Sequence, residues 1–210
     1  MHKPSESMIR RLDKNCLHDI ADLHYKVLHW SVNARLGRDH IRDLYGSMIE
    51  LPSTFGFVYY QQDRLIAFIM GTLDSREIRT GLPSNFNLPK LLRLTINVLK
   101  RPQDAVDIVE TAYVIPRFLG KYGTKPELST WVSDTDHPLS PFAAIQCMNA
   151  AQKHILDQGY THCVAQVLKE NVAPNKFYAR TQSTIIKSLP KNNVYLIKCE
   201  QHTRPQKSAK

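Results

Sequence analysis

The chain has 210 residues, 42% hydrophobic and 22% charged, which suits one globular domain with a substantial core and is short for two. Lys and Arg number 28 against 19 Asp and Glu, a net +9 that favours a polyanionic partner without choosing an anionic cosubstrate, an acidic protein or a nucleic acid. No apolar run reaches the roughly 20 residues of a membrane span, the first residues lack a signal-peptide core, and Cys16, Cys147, Cys163 and Cys199 are too scattered for a zinc site or disulfide framework, so a cytoplasmic protein with reduced thiols is expected.

In chain order, residues 9–12 read as a first strand and Asp13 as the cap of the helix behind it. Leu17, Ile20, Ala21, His24, Val27 and Leu28 recur at helical spacing. Residues 29–37 break that period. Asp39 opens a second helix with Ile41, Leu44, Tyr45, Met48 and Ile49 on its apolar side, and Pro52 ends it. Aromatic and β-branched runs over 55–60 and 65–71, around the polar Gln61-Gln62-Asp63, predict a hairpin.

Two amphipathic helices follow as an insertion around residues 86–115, one on Leu88, Leu91, Leu92, Thr95, Val98 and Leu99, the other over 105–112. They either line the acceptor side of a site or pack as an appendage. Lys90, Arg93, Lys100 and Arg101 give the first a basic face suited to a membrane surface or a carrier protein. Residues 127–133 are the next strand, with Leu128, Thr130 and Val132 alternating against Ser129, Trp131 and Ser133. A polar loop over 134–138 leads to a helix over 142–158 that gathers Ala144, Met148, Ala151 and Ile155 on one face, and Gly159 fits its left-handed stop. The order describes a single domain over 8–199, with a basic tail over 200–210 too polar to pack.

From Gly159 to Tyr178 the sequence GYTHCVAQVLKENVAPNKFY reads as a helix end, a buried strand, a turn on Asn171 and a helix carrying Phe177-Tyr178. That run resembles the closing segments of the GCN5-related N-acetyltransferase (GNAT) family, in which a helix after strand five presents a tyrosine to the thioester sulfur of acetyl-CoA. The strand, helices and hairpin at the front look like the same family's first half. Leu36-Gly37 before a helix with Leu44-Tyr45 resembles a branch that acylates sugars or amino acids. The resemblance covers most of residues 8–199 and implies an α/β fold, GNAT-like, with a mixed, mostly antiparallel central sheet flanked by helices.

It also implies a site. The family cradles the donor pyrophosphate on a Gly-rich loop and helix N-terminus after strand four. Here that stretch is His137-Pro138-Leu139-Ser140-Pro141-Phe142-Ala143-Ala144, without glycine, and Pro141 has no N–H. Donor contacts are expected on Ser140, Ala143 and Ala144. The family's oxyanion donor, a backbone N–H where strands four and five splay, maps to Val132 and Ser133. Asn171 would cap the last helix and approach the pantetheine arm. Tyr178 would protonate the departing thiolate, a phenol of pKa about 10 serving a thiol of about 8.5. The rival reading is structural: Tyr178 fills the core and Asn171 only caps.

Glu127, Ser129, His24 and His29 are candidate bases, and water can relay the proton instead. No P-loop, nucleophile elbow or HExxH motif is present, and no metal is expected. The resemblance implies transfer of an acetyl or other acyl group from a CoA thioester, as cosubstrate, to a small-molecule amine such as an amino sugar or amino acid, by direct attack. An acyl carrier protein stays open as a partner, and nucleic acid is not expected. The alternative is a non-catalytic acyl-CoA-binding or regulatory protein that keeps the fold with a degenerate donor loop.

Overall fold

The computed structural model describes residues 7–77, 102–123 and 126–200. Its strands are β1 (Ser7–Arg11), β2 (Thr54–Gln61), β3 (Arg64–Thr72), β4 (Glu127–Ser133), β5 (His162–Leu168), β6 (Ser183–Ser188) and β7 (Asn192–Lys198). They form one sheet in the order β1-β2-β3-β4-β5-β7-β6, antiparallel throughout except for the parallel β4–β5 pair. The expected hairpin is β2–β3. Gln61 pairs with Arg64, and Gln62 and Asp63 between them take φ of 49° and 61°, the two left-handed residues that a two-residue turn needs to match the twist of its strands.

The strand over 127–133 forms, but not with simple alternation. Met70 of β3 faces Thr130 and Gly71 faces Leu128, so Ser129 is an extra residue on β4, a bulge. Such an insertion shifts the side-chain phase by one. Leu128 and Val132, expected on one face, therefore sit in different cores. At this bulge the β3 and β4 backbones come close: a Cβ on Gly71 would lie 2.6 Å from the Glu127 carbonyl oxygen and 2.7 Å from Phe55 Cζ.

Helices cover both faces. On one side α1 (Leu17–Val27), α2 (Val32–Leu36) and α3 (Arg38–Ile49) pack Ile20, Ala34, Ile41 and Tyr45 onto Val58, Phe68, Met70 and Val132. The helix α2 falls where the sequence period breaks; the Ser31 hydroxyl accepts the Ala34 N–H at 3.2 Å to cap it, and Gly37 at φ 105° ends it. Farther along, α4 (Pro102–Val109) runs through a π turn (Glu110–Val114) into α5 (Ile115–Tyr122), past the end expected for the second inserted helix, and sets Ile115 and Leu119 on Val164 and Val194. The first inserted helix and the tail from residue 201 lie outside the described residues. On the opposite face α6 (Ser140–Asp157) and α7 (Val172–Arg180) bury Ala143, Cys147, Met148, Ala151, Ile155 and Tyr178. Gly159, at φ 84°, takes the left-handed stop expected of it. Among the described residues no helix is long and apolar enough to cross a membrane, and no group of side chains could hold a metal ion.

Candidate functional site

The sheet opens between its two parallel strands. β4 and β5 are paired only at Glu127↔Val164 and Leu128↔Ala165, although β4 runs on to Ser133 and β5 to Leu168. Among the described residues, the edge of β4 that faces β5 has no strand partner beyond Leu128. Alternation decides which amides stand there. The Asp134 N–H donates to Ile66 O of β3 at 2.8 Å, so the Val132 N–H points the same way and those of Trp131 and Ser133 point into the opening. Of the two oxyanion donors expected, Ser133 has the geometry. Val132 does not: its amide faces β3 and its side chain belongs to the α1–α3 core.

The loop from β4 to α6 is anchored at its start. The Asp134 carboxylate, 3% exposed, accepts from Lys26 Nζ at 2.6 Å, Arg64 Nη2 at 2.5 Å and the Asp136 N–H at 3.3 Å. Burial pushes its pKa up, and these hydrogen bonds outweigh burial, so the carboxyl titrates below its ordinary range. A cleft of about 520 Å³ beside it, lined by Asp19, Asp22, Lys26, Arg38 and Arg64, has its cations matched to Asp22, Asp134 and Asp136.

Farther along, the backbone donors expected to meet a phosphate are committed within the loop. The Leu139 N–H donates to His137 Nδ1 at 3.2 Å, Ser140 N to His137 O at 2.9 Å, and Ala143 N to Leu139 O at 2.8 Å. Pro141 has none, which leaves the Phe142 N–H as the open donor of the first turn. The expected contacts at Ser140, Ala143 and Ala144 therefore need correction as amide donors. Ser140 keeps a hydroxyl, which donates to Ser133 Oγ at 2.9 Å; Ala143 is buried, and the Ala144 carbonyl accepts the Trp131 indole N–H at 3.1 Å. Among the described residues, Phe142 N–H and His137 Nε2 are the groups of this stretch left without a partner. The multi-donor cradle of a diphosphate is not formed.

Trp131 was not among the expected site residues, and it organises one side of the opening. Its ring lies 4.8 Å from that of Phe177 and 6.3 Å from that of Tyr178, centroid to centroid. Tyr178 is 2% exposed and packs 5.0 Å from the Tyr195 ring. Burial, then the neighbouring Cys163 and Tyr195, raise its pKa above the ordinary tyrosine value, so it keeps its proton. Asn171 makes no side-chain cap. Asn175 takes over the fastening: its Nδ2 donates to Leu168 O at 2.8 Å and Asn171 O at 2.7 Å, while its Oδ1 accepts from Tyr195 Oη at 2.8 Å. One asparagine thus ties the strand end, the helix start and β7 together. A second Asn four residues after the turn was the available signal.

Across the sheet, the π turn is locked to the β6–β7 connection. The buried Glu110 carboxylate accepts from Lys191 N, Asn192 N and Asn192 Nδ2 at 2.9–3.2 Å, and Gln166 of β5 reaches Thr111 Oγ1 at 2.6 Å. Of the candidate bases, Ser129 is exposed at the bulge, Glu127 is half-buried at the last paired rung, and His29 is exposed in the α1–α2 connection. His24 is a core residue instead: Nδ1 meets Tyr45 Oη at 2.7 Å and Nε2 meets Ser31 Oγ at 3.2 Å.

Burial, with a smaller effect of His40, lowers the His24 pKa to about 4. The unfolded chain then binds this proton first, near pH 6.5, so stability is whole above that pH and falls as the pH drops toward 4, by up to about 3 kcal/mol. Urea midpoints of the native protein and His24→Gln over that range check this. The variant is expected to lose less stability on acidification, because Gln keeps an acceptor for Tyr45 and a donor for Ser31 without titrating.

No protein-family model and no curated protein sequence matches the chain. Solved structures do. The PaiA N-acetyltransferase of Thermoplasma acidophilum, in complex with coenzyme A, has a TM-score of 0.58 at 10% identity over 92% of this chain and 99% of that one. FeeM, an N-acyl amino acid synthase from uncultured soil microbes, has a TM-score of 0.58 at 14% identity over 93% of this chain and 92% of that one. YncA of Salmonella typhimurium, with its cofactor acetyl-CoA, has a TM-score of 0.57 at 12% identity over 97% and 99%. The chain has the GNAT fold, as its sheet order and mostly antiparallel strands also require.

Proposed function

We propose that this GNAT-fold protein is an N-acyltransferase that moves an acyl group from a phosphopantetheine thioester to an amine. The observation that carries the reading is the opened β4–β5 pair, with unpaired Trp131 and Ser133 amides on one side and a protonated Tyr178 behind the aromatic wall. A thioester carbonyl beside Ser133 would accept its N–H, the kind of preorganised donor worth about 3 kcal/mol to an oxyanion. The amine attacks this carbon: the C–N bond forms, the C–S bond breaks, the thiolate takes the Tyr178 proton, and the proton lost by the amine returns to Tyr178 through water. Acetyl-CoA and CoA, bound to structures of this fold in the PaiA and YncA proteins, support a CoA-type arm. FeeM supports acyl groups on amino acids as one product class. The four unpaired thiols and the donor chemistry together suit the cytoplasm.

Thermal shift tests this reading. A saturating acyl thioester, at about 100 Kd, is expected to add about 2.7 kcal/mol and raise Tm by about 5–10 °C. No shift with acetyl-CoA, octanoyl-CoA or octanoyl-pantetheine would end it. The committed amides of the α6 loop favour a second reading, a non-catalytic thioester-binding protein. Release of free thiol with a panel of primary amines separates the two.

A further inference from the structure

We infer that the acyl group is delivered on the phosphopantetheine arm of an acidic carrier protein, which docks on the open face formed by α7 and the start of α6. The inference rests on the acyltransferase reading above, and two independent features carry it.

The first is the donor count at the mouth of the opening. Coenzyme A presents a diphosphate and a further ribose phosphate, and binding it draws on several amides. Here three of the first-turn donors are spent inside the loop and Pro141 lacks one, so Phe142 N–H and His137 Nε2 remain. Two groups are fewer than a diphosphate and a ribose phosphate draw on, and a phosphopantetheine arm brings only the one phosphodiester that joins it to its carrier.

The second is the surface around that mouth. Because α6 and α7 follow the parallel strands β4 and β5, both helices begin at the open end of the pair, and Trp131 links them through Ala144 and Phe177. Ile145 of α6 and Val172 of α7 are 46% and 56% exposed, and Phe142, 45% exposed, sets its ring edge-on to Tyr59 of β2 at 5.9 Å. Lys169 just before α7, and Lys176 and Arg180 on it, are exposed and make no ion pair among the described residues, while Glu170 is taken by Lys191. No Asp or Glu lies on α7, nor on α6 before Asp157. Exposed apolar residues near the two helix starts, with unmatched cations along α7, fit a partner with a small apolar patch in an acidic surface.

The experiment compares octanoyl thioesters of an acidic bacterial-type acyl carrier protein, of CoA and of pantetheine with the full chain, measuring Kd and thiol release. The carrier thioester is expected to bind at least about tenfold tighter than octanoyl-CoA at about 0.05 M salt and to lose that advantage at about 0.5 M. The double variant Lys176→Glu, Arg180→Glu is expected to weaken the carrier complex at least about tenfold and leave the pantetheine thioester unchanged, which also shows that the variant is folded. Octanoyl-CoA bound as tightly as the carrier, or a charge reversal that weakens all three alike, would overturn the inference and keep the acyltransferase reading. Binding of none of the three would remove both.

Discussion

Tyr178→Phe is expected to lower kcat about a hundredfold with KM changed less than about twofold, measured by thiol release from octanoyl thioester with a saturating amine. The substitution isolates one atom. The ring stays against Trp131, Phe177 and Tyr195, at centroid distances that depend on shape and not on the hydroxyl. A Tyr178 that merely filled the core would therefore tolerate Phe without loss of rate. If the phenol supplies the proton to the departing thiolate, binding survives and turnover does not. Because its pKa lies above the ordinary tyrosine value, Tyr178 remains protonated across any workable assay range, and an alkaline limb in the rate must come from another group. Equal rates for native and Phe proteins would leave the fold intact and remove the acid.

Gly71→Ala is expected to cost about 3 kcal/mol and lower Tm by about 6–12 °C. The added methyl meets the Glu127 carbonyl at 2.6 Å and Phe55 Cζ at 2.7 Å. A side chain can rotate away; a backbone carbonyl cannot move without shifting the β3–β4 ladder at its bulge. Since Glu127 and Leu128 are the residues that hold β5, the strain falls on the two rungs that join β4 to β5 among the described residues, and thioester binding is expected to weaken as well. Gly120→Ala is the control: nothing lies within 4 Å of its Cβ, it sits inside α5, and Ala there is expected to stabilise by about 0.5–1 kcal/mol. Equal Tm values for Gly71→Ala and the native chain would show that the bulge is soft.

What the sequence disclosed follows from range. The hairpin, α1, α3, α6 and Gly159 rest on neighbours within a turn or a strand pair, and their signals survive in the order of residues. The bulge at Ser129 does not. It depends on how Gly71 lies against Glu127, some fifty positions away, and without it the phase of Leu128, Trp131 and Val132 is read wrongly. The loop over 137–144 was legible as glycine-free, but not that its amides donate to the His137 ring and to the His137 and Leu139 carbonyls. Asn171 and Asn175 illustrate the same limit at short range: either can fasten a helix start, and Tyr195 from another strand decides for Asn175. Glu110, buried beneath the β6–β7 connection, has partners about eighty positions later and no local signature.

Two rungs between β4 and β5 make the sheet a pair of lobes joined along a seam. One lobe holds β1 to β4 and the other β5, β7 and β6, and across the gap the Trp131 ring of the first meets Phe177 and Tyr178, which pack on the second. Thermal motion is therefore least resisted along this line, and the Trp131 and Ser133 amides are expected to exchange their hydrogens faster than those of Val132 and Asp134, although all four belong to one stretch of chain. A ligand that threads the seam would slow the first pair alone. The weakest line in the architecture is then also its most responsive one.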